Sequence, residues 1–414
     1  MNKTVPFSAL MFLGLYLVAW ILALPFLLFL KALKPISRQR FGMGMPRGPF
    51  DLWIQAASVG EAKLALQLIS ELPRDIFPRI VVSSNTRQGM DTLRDKVKGR
   101  AELVFFPFDL LPAWSLALAR TQPRQVLLLE TEIWPGLLST CKRKSIPVII
   151  GNARMSLKSF CRYYPLSGLL SPMGPDRVLA VSQRDRDRFS WIFRDSHTGL
   201  MPNIKFDAIE NTEPIPYVKN PLSAYFRPGH PLIVLGSVRR EEEVHIKWLI
   251  CRISSEHPKT TIALFPRHMN RIESWERFLN RKNISLVKRS EMQTGSSMPQ
   301  VILWDKFGEL LPACALAKSV FSGGSLAPCG GQNFLEPLSQ GVVPCVGPFW
   351  DNFHWVGKDI LSSNLLCQVA DRDELYLKLI KAPTASRTRV LSDFNEFVAG
   401  RKGGTSMLIH SLDR

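Results

Sequence analysis

Short apolar runs separated by helix-like stretches recur along this chain, and that rhythm limits the possible folds more than any other feature. Residues 52–57, 79–83, 102–106, 126–129, 148–150 and 177–181 read as strands buried on both faces, the pattern of a parallel sheet. After the first of them, Leu64, Leu68, Ile69 and Leu72 follow helical spacing, and Pro73 stops the helix. The rhythm restarts beyond a stretch holding Pro214, Pro216, Pro221, Pro228 and Pro231, with strands expected at 232–236, 261–265, 285–287, 301–304, 319–322 and 342–346. The fold class is therefore α/β, with two doubly wound Rossmann-like domains joined by a proline-rich linker. Ligands of such sheets lie beyond the carboxyl ends of the strands, so two domains facing a cleft are expected to place the chemistry there.

From Val5 to Leu30 no residue is charged, and the run exceeds the ~20 residues that cross a bilayer core. Lys31 and Lys34 follow it where a cleaved leader would have small residues, so an N-terminal transmembrane helix is expected. A helix lying in the interface is the other arrangement, and Pro25 bears on both. Lys31, Lys34, Arg38, Arg40 and Arg47 flank the run on one side and only Lys3 on the other, which puts the body on the cytoplasmic face. The expected layout is thus an anchor over 1–35, a first domain over 36–213, a linker over 214–231 and a second domain over 232–414. A formal charge of +18 favours polyanions, and a tethered body favours anionic membrane lipids and phosphorylated substrates over nucleic acid. The seven cysteines are dispersed without metal or redox spacing and read as reduced thiols.

Ser58-Val59-Gly60-Glu61 stands between the first strand and its helix, placing the Glu61 carboxylate in the first turn at the carboxyl edge of the sheet. Such a glutamate complements the helix dipole, which also keeps it ionised; at a cleft it can equally act as general base toward an attacking hydroxyl. Glu130 and Glu132 follow the fourth strand, where charges beside an apolar run need a reason. They either cap a helix and pair with an arginine, or bind substrate. Arg154, after the fifth strand, can pair with them or clamp a phosphate, and Arg87 occupies a comparable strand end. In the second half Arg267 and His268 follow a strand. Gly323-Gly324-Ser325 and Gly330-Gly331-Gln332-Asn333 then lead into a helix start with Glu336, a loop that can be a phosphate site with a ribose-binding carboxylate or a plain turn. There is no Walker A sequence, no dinucleotide fingerprint in the first β-α turn and no His-Glu-x-x-His, so ATP, NAD and zinc chemistry lose support.

The motifs together resemble bacterial 3-deoxy-D-manno-octulosonic acid (Kdo) transferases of the lipopolysaccharide inner core. The resemblance runs through 57–61, 130–135, 152–156, 203–207, 266–268, 308–310, 323–326, 330–337 and 347–348. It implies a GT-B fold with a membrane anchor in the bacterial inner membrane, CMP-Kdo as donor, a phosphorylated lipid A precursor of the lipid IVA type as acceptor, and no cofactor. It also implies inverting, metal-independent transfer, with Glu61 as base, and Ser58, Gly60, Arg87, Glu130, Glu132 and Arg154 toward the acceptor. Arg267, His268, Gly308, Glu309, Gly323, Gly324, Ser325, Asn333 and Glu336 would hold the donor. The chain departs from the family pattern where Ser237-Val238-Arg239 replaces Ser-Thr-His and where Gln332 replaces a histidine. The alternative is a catalytically divergent GT-B protein that binds anionic lipid or another nucleotide-sugar, such as an epimerase.

Overall fold

The computed structural model describes residues 7–29, 38–209, 213–381 and 386–412. Lys3, Lys31 and Lys34 of the expected basic flank, and both ends of the uncharged run, lie outside the described residues. The chain up to Ile209, together with that from Arg401 onward, forms one compact unit, and the chain between them up to Gly400 forms the other.

The first unit is built on a seven-stranded parallel sheet: β1 (Phe50–Ala56), β2 (Ile80–Ser84), β3 (Ala101–Phe105), β4 (Pro123–Leu129), β5 (Val148–Ala153), β6 (Arg177–Ala180) and β7 (His197–Leu200), in the order β3-β2-β1-β4-β5-β6-β7. β1 pairs with β2 on one side, Ala56 opposite Ser84, and with β4 on the other, Gln55 opposite Leu128. The chain runs outward through β2 and β3 and then returns to β4, so the order reverses beside β1 and opens a crevice at the carboxyl ends of β1 and β4. Helix α2 (Val59–Glu71) buries Ala62, Leu64, Ala65, Leu68 and Ile69 on one face of the sheet, against Leu52, Ile54, Val82 and Leu127. The periodicity that marks these residues in the sequence is the periodicity that packs them. On the other face, Trp53, Val81, Val126 and Leu128 pack against Trp114 and Leu118 of the helix Leu111–Thr121 and Leu137 of the helix Pro135–Arg143.

The second unit repeats the plan with β8 (Leu232–Val238), β9 (Thr261–Pro266), β10 (Leu286–Lys288), β11 (Val301–Leu303), β12 (Ser319–Ser322), β13 (Pro344–Val346) and β14 (Cys367–Gln368), ordered β10-β11-β9-β8-β12-β13-β14. Here the order reverses between β8 and β12.

Three expectations are corrected. The second domain does not run to 414. The helix Gly404–Leu412 belongs to the first unit, where Leu408 is fully buried, Asp207 accepts from the N–H groups of Gly403 (2.7 Å) and Thr405 (2.6 Å), and Gln125 Nε2 donates to Leu412 O at 2.7 Å. The proline-rich stretch is not a free linker. Leu222 and Phe226 are buried in the second unit's core beside Leu232 and Val234, and Asn220 Nδ2 donates to Pro312 O at 2.9 Å.

The third correction concerns the N-terminus. The uncharged run forms a helix, α1 (Phe7–Phe29), that continues through Pro25, yet among the described residues no helix is long and apolar enough to cross a membrane. The middle of α1 is docked on the first unit. Leu13 is buried, the Tyr16 hydroxyl donates to Asp109 Oδ2 at 3.0 Å, and the Trp20 ring lies 5.9 Å from that of Phe108. A span needs lipid or other spans around its midpoint, whereas one stripe of this helix is committed to a polar-ended protein surface. The opposite stripe, Phe7, Met11, Leu15, Val18 and Leu22, is at least half exposed throughout. Arg40, counted in the cytoplasmic flank, is also not at a surface. It is buried, donating to Phe106 O (2.9 Å) and Asn85 O (2.5 Å) with its guanidinium over the Phe105 ring.

Candidate functional site

The crevice beside β1 collects the candidate residues of the first unit, because consecutive strands of a parallel sheet end along one edge. Ser58 caps α2, its Oγ accepting from Glu61 N at 3.3 Å and donating to Glu61 Oε1 at 3.1 Å, while Ala57 N donates to Glu61 Oε2 at 2.5 Å. Two bonds to its oxygens and one to its backbone N–H thus fix a half-buried carboxylate in the first helical turn. The expectation that the helix dipole governs its ionisation is corrected. Burial is the largest influence and the charge of Glu130 the next, and they raise the Glu61 carboxyl above its ordinary value against the opposing pull of the Ala57 and Ser58 donors. A base with a raised pKa has the stronger hold on a proton it removes. Gly60 is exposed in the same turn, and Arg87, the first residue of the helix Arg87–Arg94 after β2, is exposed as well.

Glu130 ends β4 in a left-handed conformation, φ 61°, and Asn152 near the end of β5 does the same at φ 52°. Such backbone costs ~1–3 kcal/mol per residue and persists only where surrounding bonds hold it. Glu130 N donates to Gly151 O at 3.0 Å, and Asn152 Oδ1 accepts from Ile204 N at 3.0 Å. The kink delivers the buried Glu130 carboxylate to two cations: Arg154 at 2.8 Å on Oε2 and Lys205 at 2.8 Å on Oε1. Of the two readings offered by the sequence, the structure shows the pairing of Arg154 with Glu130. Lys205 falls within the 203–207 stretch and lies 75 residues from Glu130, a separation across which local spacing carries no signal.

Glu132 is buried, and among the described residues no cation pairs with it. Trp134 Nε1 donates to its Oε2 at 2.5 Å and Gln55 Nε2 reaches the same oxygen at 3.5 Å. Burial first, and then the neighbouring Glu61 charge, push this carboxyl up to about 8. With its carboxyl raised this far, Glu132 favours its neutral form at physiological pH.

In the second unit the glycine-rich loop is already occupied. Glu242, with no exposed surface, accepts from the N–H groups of Gly324 (2.5 Å), Ser325 (3.2 Å), Leu326 (3.3 Å) and Arg239 (2.9 Å). A Cβ on Gly323 would stand 2.7 Å from Glu242 Oε1, so glycine there admits the chain's own carboxylate. The N–H groups of Gly324, Ser325 and Leu326 are thus satisfied within the chain itself. Ser325 is fully buried, donating to Ser322 O and accepting from Gly347 N, both at 2.8 Å. Glu309 is held by the buried Arg289 (2.9 Å) and by Trp304 Nε1 (2.9 Å), next to Gly308 at φ 83°. Asn333 bridges Glu336 Oε1 (2.9 Å) and Leu335 N (3.1 Å), and burial raises the Glu336 carboxyl. Arg267 and His268 are exposed beyond β9, with Arg267 N donating to Val238 O at 2.8 Å. The two departures from the family pattern meet: a Cβ on Gly324 would contact Arg239 Cδ at 3.2 Å on one side and Gln332 Cγ at 3.2 Å on the other.

The Glu242 arrangement has a measurable consequence. Glu242→Ala leaves four N–H groups without their acceptor, and an unsatisfied buried donor costs ~1–3 kcal/mol. The expected loss in urea unfolding is about 3 kcal/mol or more, with Glu242→Gln, which keeps an acceptor, losing less. Equal midpoints for Glu242→Ala and the parent chain would show that the loop does not depend on this carboxylate.

Residues 36–208 match the family model described as 3-deoxy-D-manno-octulosonic-acid transferase (kdotransferase). The chain is similar to the 3-deoxy-D-manno-octulosonic acid transferase of Haemophilus influenzae, 26% identical over 414 residues covering 96% of each chain. It is also similar to that of Bordetella pertussis, 28% identical over 403 residues and 90% of each chain. Among solved structures, HepE of Anabaena in complex with UDP shares the fold at a TM-score of 0.55 and 14% identity, covering 87% of this chain and 99% of that one.

Proposed function

We propose that the chain is one of the 3-deoxy-D-manno-octulosonic acid transferases, glycosyltransferases of lipopolysaccharide biosynthesis, and that it moves Kdo from CMP-Kdo to a phosphorylated lipid A precursor of the lipid IVA type, a reading supported by the family match and by relatives that cover most of the chain. The observation that carries this reading is the carboxylate set at the β1–β4 crevice. Glu130 is neutralised by Arg154 and Lys205, Glu132 is held protonated, and Glu61 is left as the group able to take a proton. In the proposed step Glu61 removes the proton of the acceptor hydroxyl as its oxygen attacks the anomeric carbon of Kdo. The bond from that carbon to the CMP phosphate breaks with its electron pair on the phosphate, and the proton ends on Glu61. Attack opposite the leaving group inverts the anomeric centre.

With the glycine-loop amides taken by Glu242, the negative charge of the donor falls to side chains: the exposed Arg267, and Arg239 with Gln332 beside Gly324. Metal independence is part of the proposal. So is placement on the cytoplasmic face of the bacterial inner membrane, with α1 lying in the interface: its inward stripe bonds the protein and its outward stripe is apolar.

The test is incubation of the full chain with CMP-Kdo and a bisphosphorylated, acylated lipid A precursor. CMP should be released and the product should gain the mass of Kdo, with no loss of rate in EDTA. Absence of CMP release with a panel of such acceptors would refute the donor and acceptor assignment.

A further inference from the structure

A groove on the first unit, away from the β1–β4 crevice, carries charge without a counter-charge. The segment 38–48 runs along the helix Leu111–Thr121 at backbone contact distance: a Cβ on Gly42 would stand 2.0 Å from Ala113 O, and one on Gly48 1.9 Å from Thr121 O. Arg120 fastens the two, its Nε donating to Met45 O and its carbonyl accepting from Gly48 N. Between them lies an open groove of about 900 Å³ lined by Arg38, Arg47 and Arg120 together with Met43, Leu116 and Ala119. No acidic residue lines it, and among the described residues no carboxylate pairs with any of the three arginines. Its apolar members are not shielded: Met43 is 43% and Leu116 53% exposed. The groove adjoins α1, since the Phe108 ring touches Trp20 of that helix at 5.9 Å and Phe41 of the segment at 5.4 Å.

We propose that this groove binds the headgroup of an anionic membrane phospholipid. Three guanidinium groups supply donors for a phosphate diester, and Met43 and Leu116 supply an apolar margin for the first acyl carbons. The outward stripe of α1 is likewise apolar and exposed, so a lipid seated here orients the first unit on the membrane. Two of these arginines precede β1 and the third ends a helix far along the chain, so the fold and not a linear basic motif makes the site.

The site goes beyond the transfer reaction and is tested separately from it. The full chain is bound to vesicles of phosphatidylcholine alone and of phosphatidylcholine with phosphatidylglycerol in equal parts. Comparison is with Arg38→Gln/Arg47→Gln and with a control of equal charge change on the second unit, Arg227→Gln/Arg281→Gln, whose side chains are exposed. Arg120 is left in place because it holds Met45. The groove variant should bind the anionic vesicles about 30-fold more weakly, the loss of two surface cations. It should bind the neutral vesicles like the parent, and release CMP from CMP-Kdo with detergent-dispersed acceptor at the parental rate. Parental binding by the groove variant overturns the proposal, as does an equal loss in the control pair. Displacement of the parent from vesicles by inorganic phosphate at constant ionic strength also overturns it, assigning the groove to soluble anions.

Discussion

Glu61→Gln should lower turnover by about 10²- to 10⁴-fold, the contribution of a positioned general base, while leaving the melting temperature within a degree or two of the parent. Glutamine keeps the length of the side chain and an oxygen to accept from Ala57 N, so the start of α2 is preserved. What it loses is the second oxygen as a proton acceptor. The parent should also show an acid limb in its pH–rate profile displaced upward from the ordinary carboxyl range, because burial and the Glu130 charge raise Glu61 and the base must be ionised to act. In the variant that limb should vanish along with the rate. A variant that turns over at a tenth or more of the parental rate, with the same acid limb, would remove Glu61 from the base role.

The parts of this molecule legible in the sequence are those whose cause is local. Each of the twelve expected strands overlaps an observed one, because a strand buried on both faces must be apolar along its length. The two missed strands, His197–Leu200 and Cys367–Gln368, are edges; the first is exposed at both ends and the second has two residues. Nothing apolar marks them. Glu61 could be placed in a first helical turn because a serine N-cap three residues earlier is a local signal.

Partners distant in the chain were not legible. Lys205 reaches Glu130 only because β7 returns the chain to the same edge, and Glu242 fills the glycine loop from 82 residues away. Glycines that admit a phosphate and glycines that admit a buried carboxylate have the same spelling. Cysteine spacing likewise hides that Cys345 and Cys367 lie opposite each other on β13 and β14, where a hydrogen bond from Cys345 lowers the Cys367 thiol below its ordinary value. The uncharged N-terminal run gives its apolarity but not its neighbour. Nothing local marks Tyr16 and Trp20 as the residues that meet Asp109 and Phe108.

Glu132→Gln should stabilise the first unit at pH 8 and leave it nearly unchanged at pH 4. Below the ordinary value of 4.5 the carboxyl is protonated in folded and unfolded chains alike and makes no difference between them. As the pH rises from 4.5 to about 8 the unfolded chain releases this proton and the folded chain keeps it, so stability falls over that window and levels off above it. The interval corresponds to an upper bound on the order of 5 kcal/mol. Glutamine cannot ionise in either state and escapes the loss, so its melting temperature should exceed the parent's by several degrees at pH 8, with the gap closing toward pH 4. A gap that is absent, or constant with pH, would mean that Glu132 is ionised in the folded chain. The same variant separates the two carboxylates by function. If Glu132 acts as a neutral group, glutamine reproduces its charge and turnover at pH 7 should fall far less than in Glu61→Gln; equal losses would instead make the two carboxylates a single proton-accepting pair.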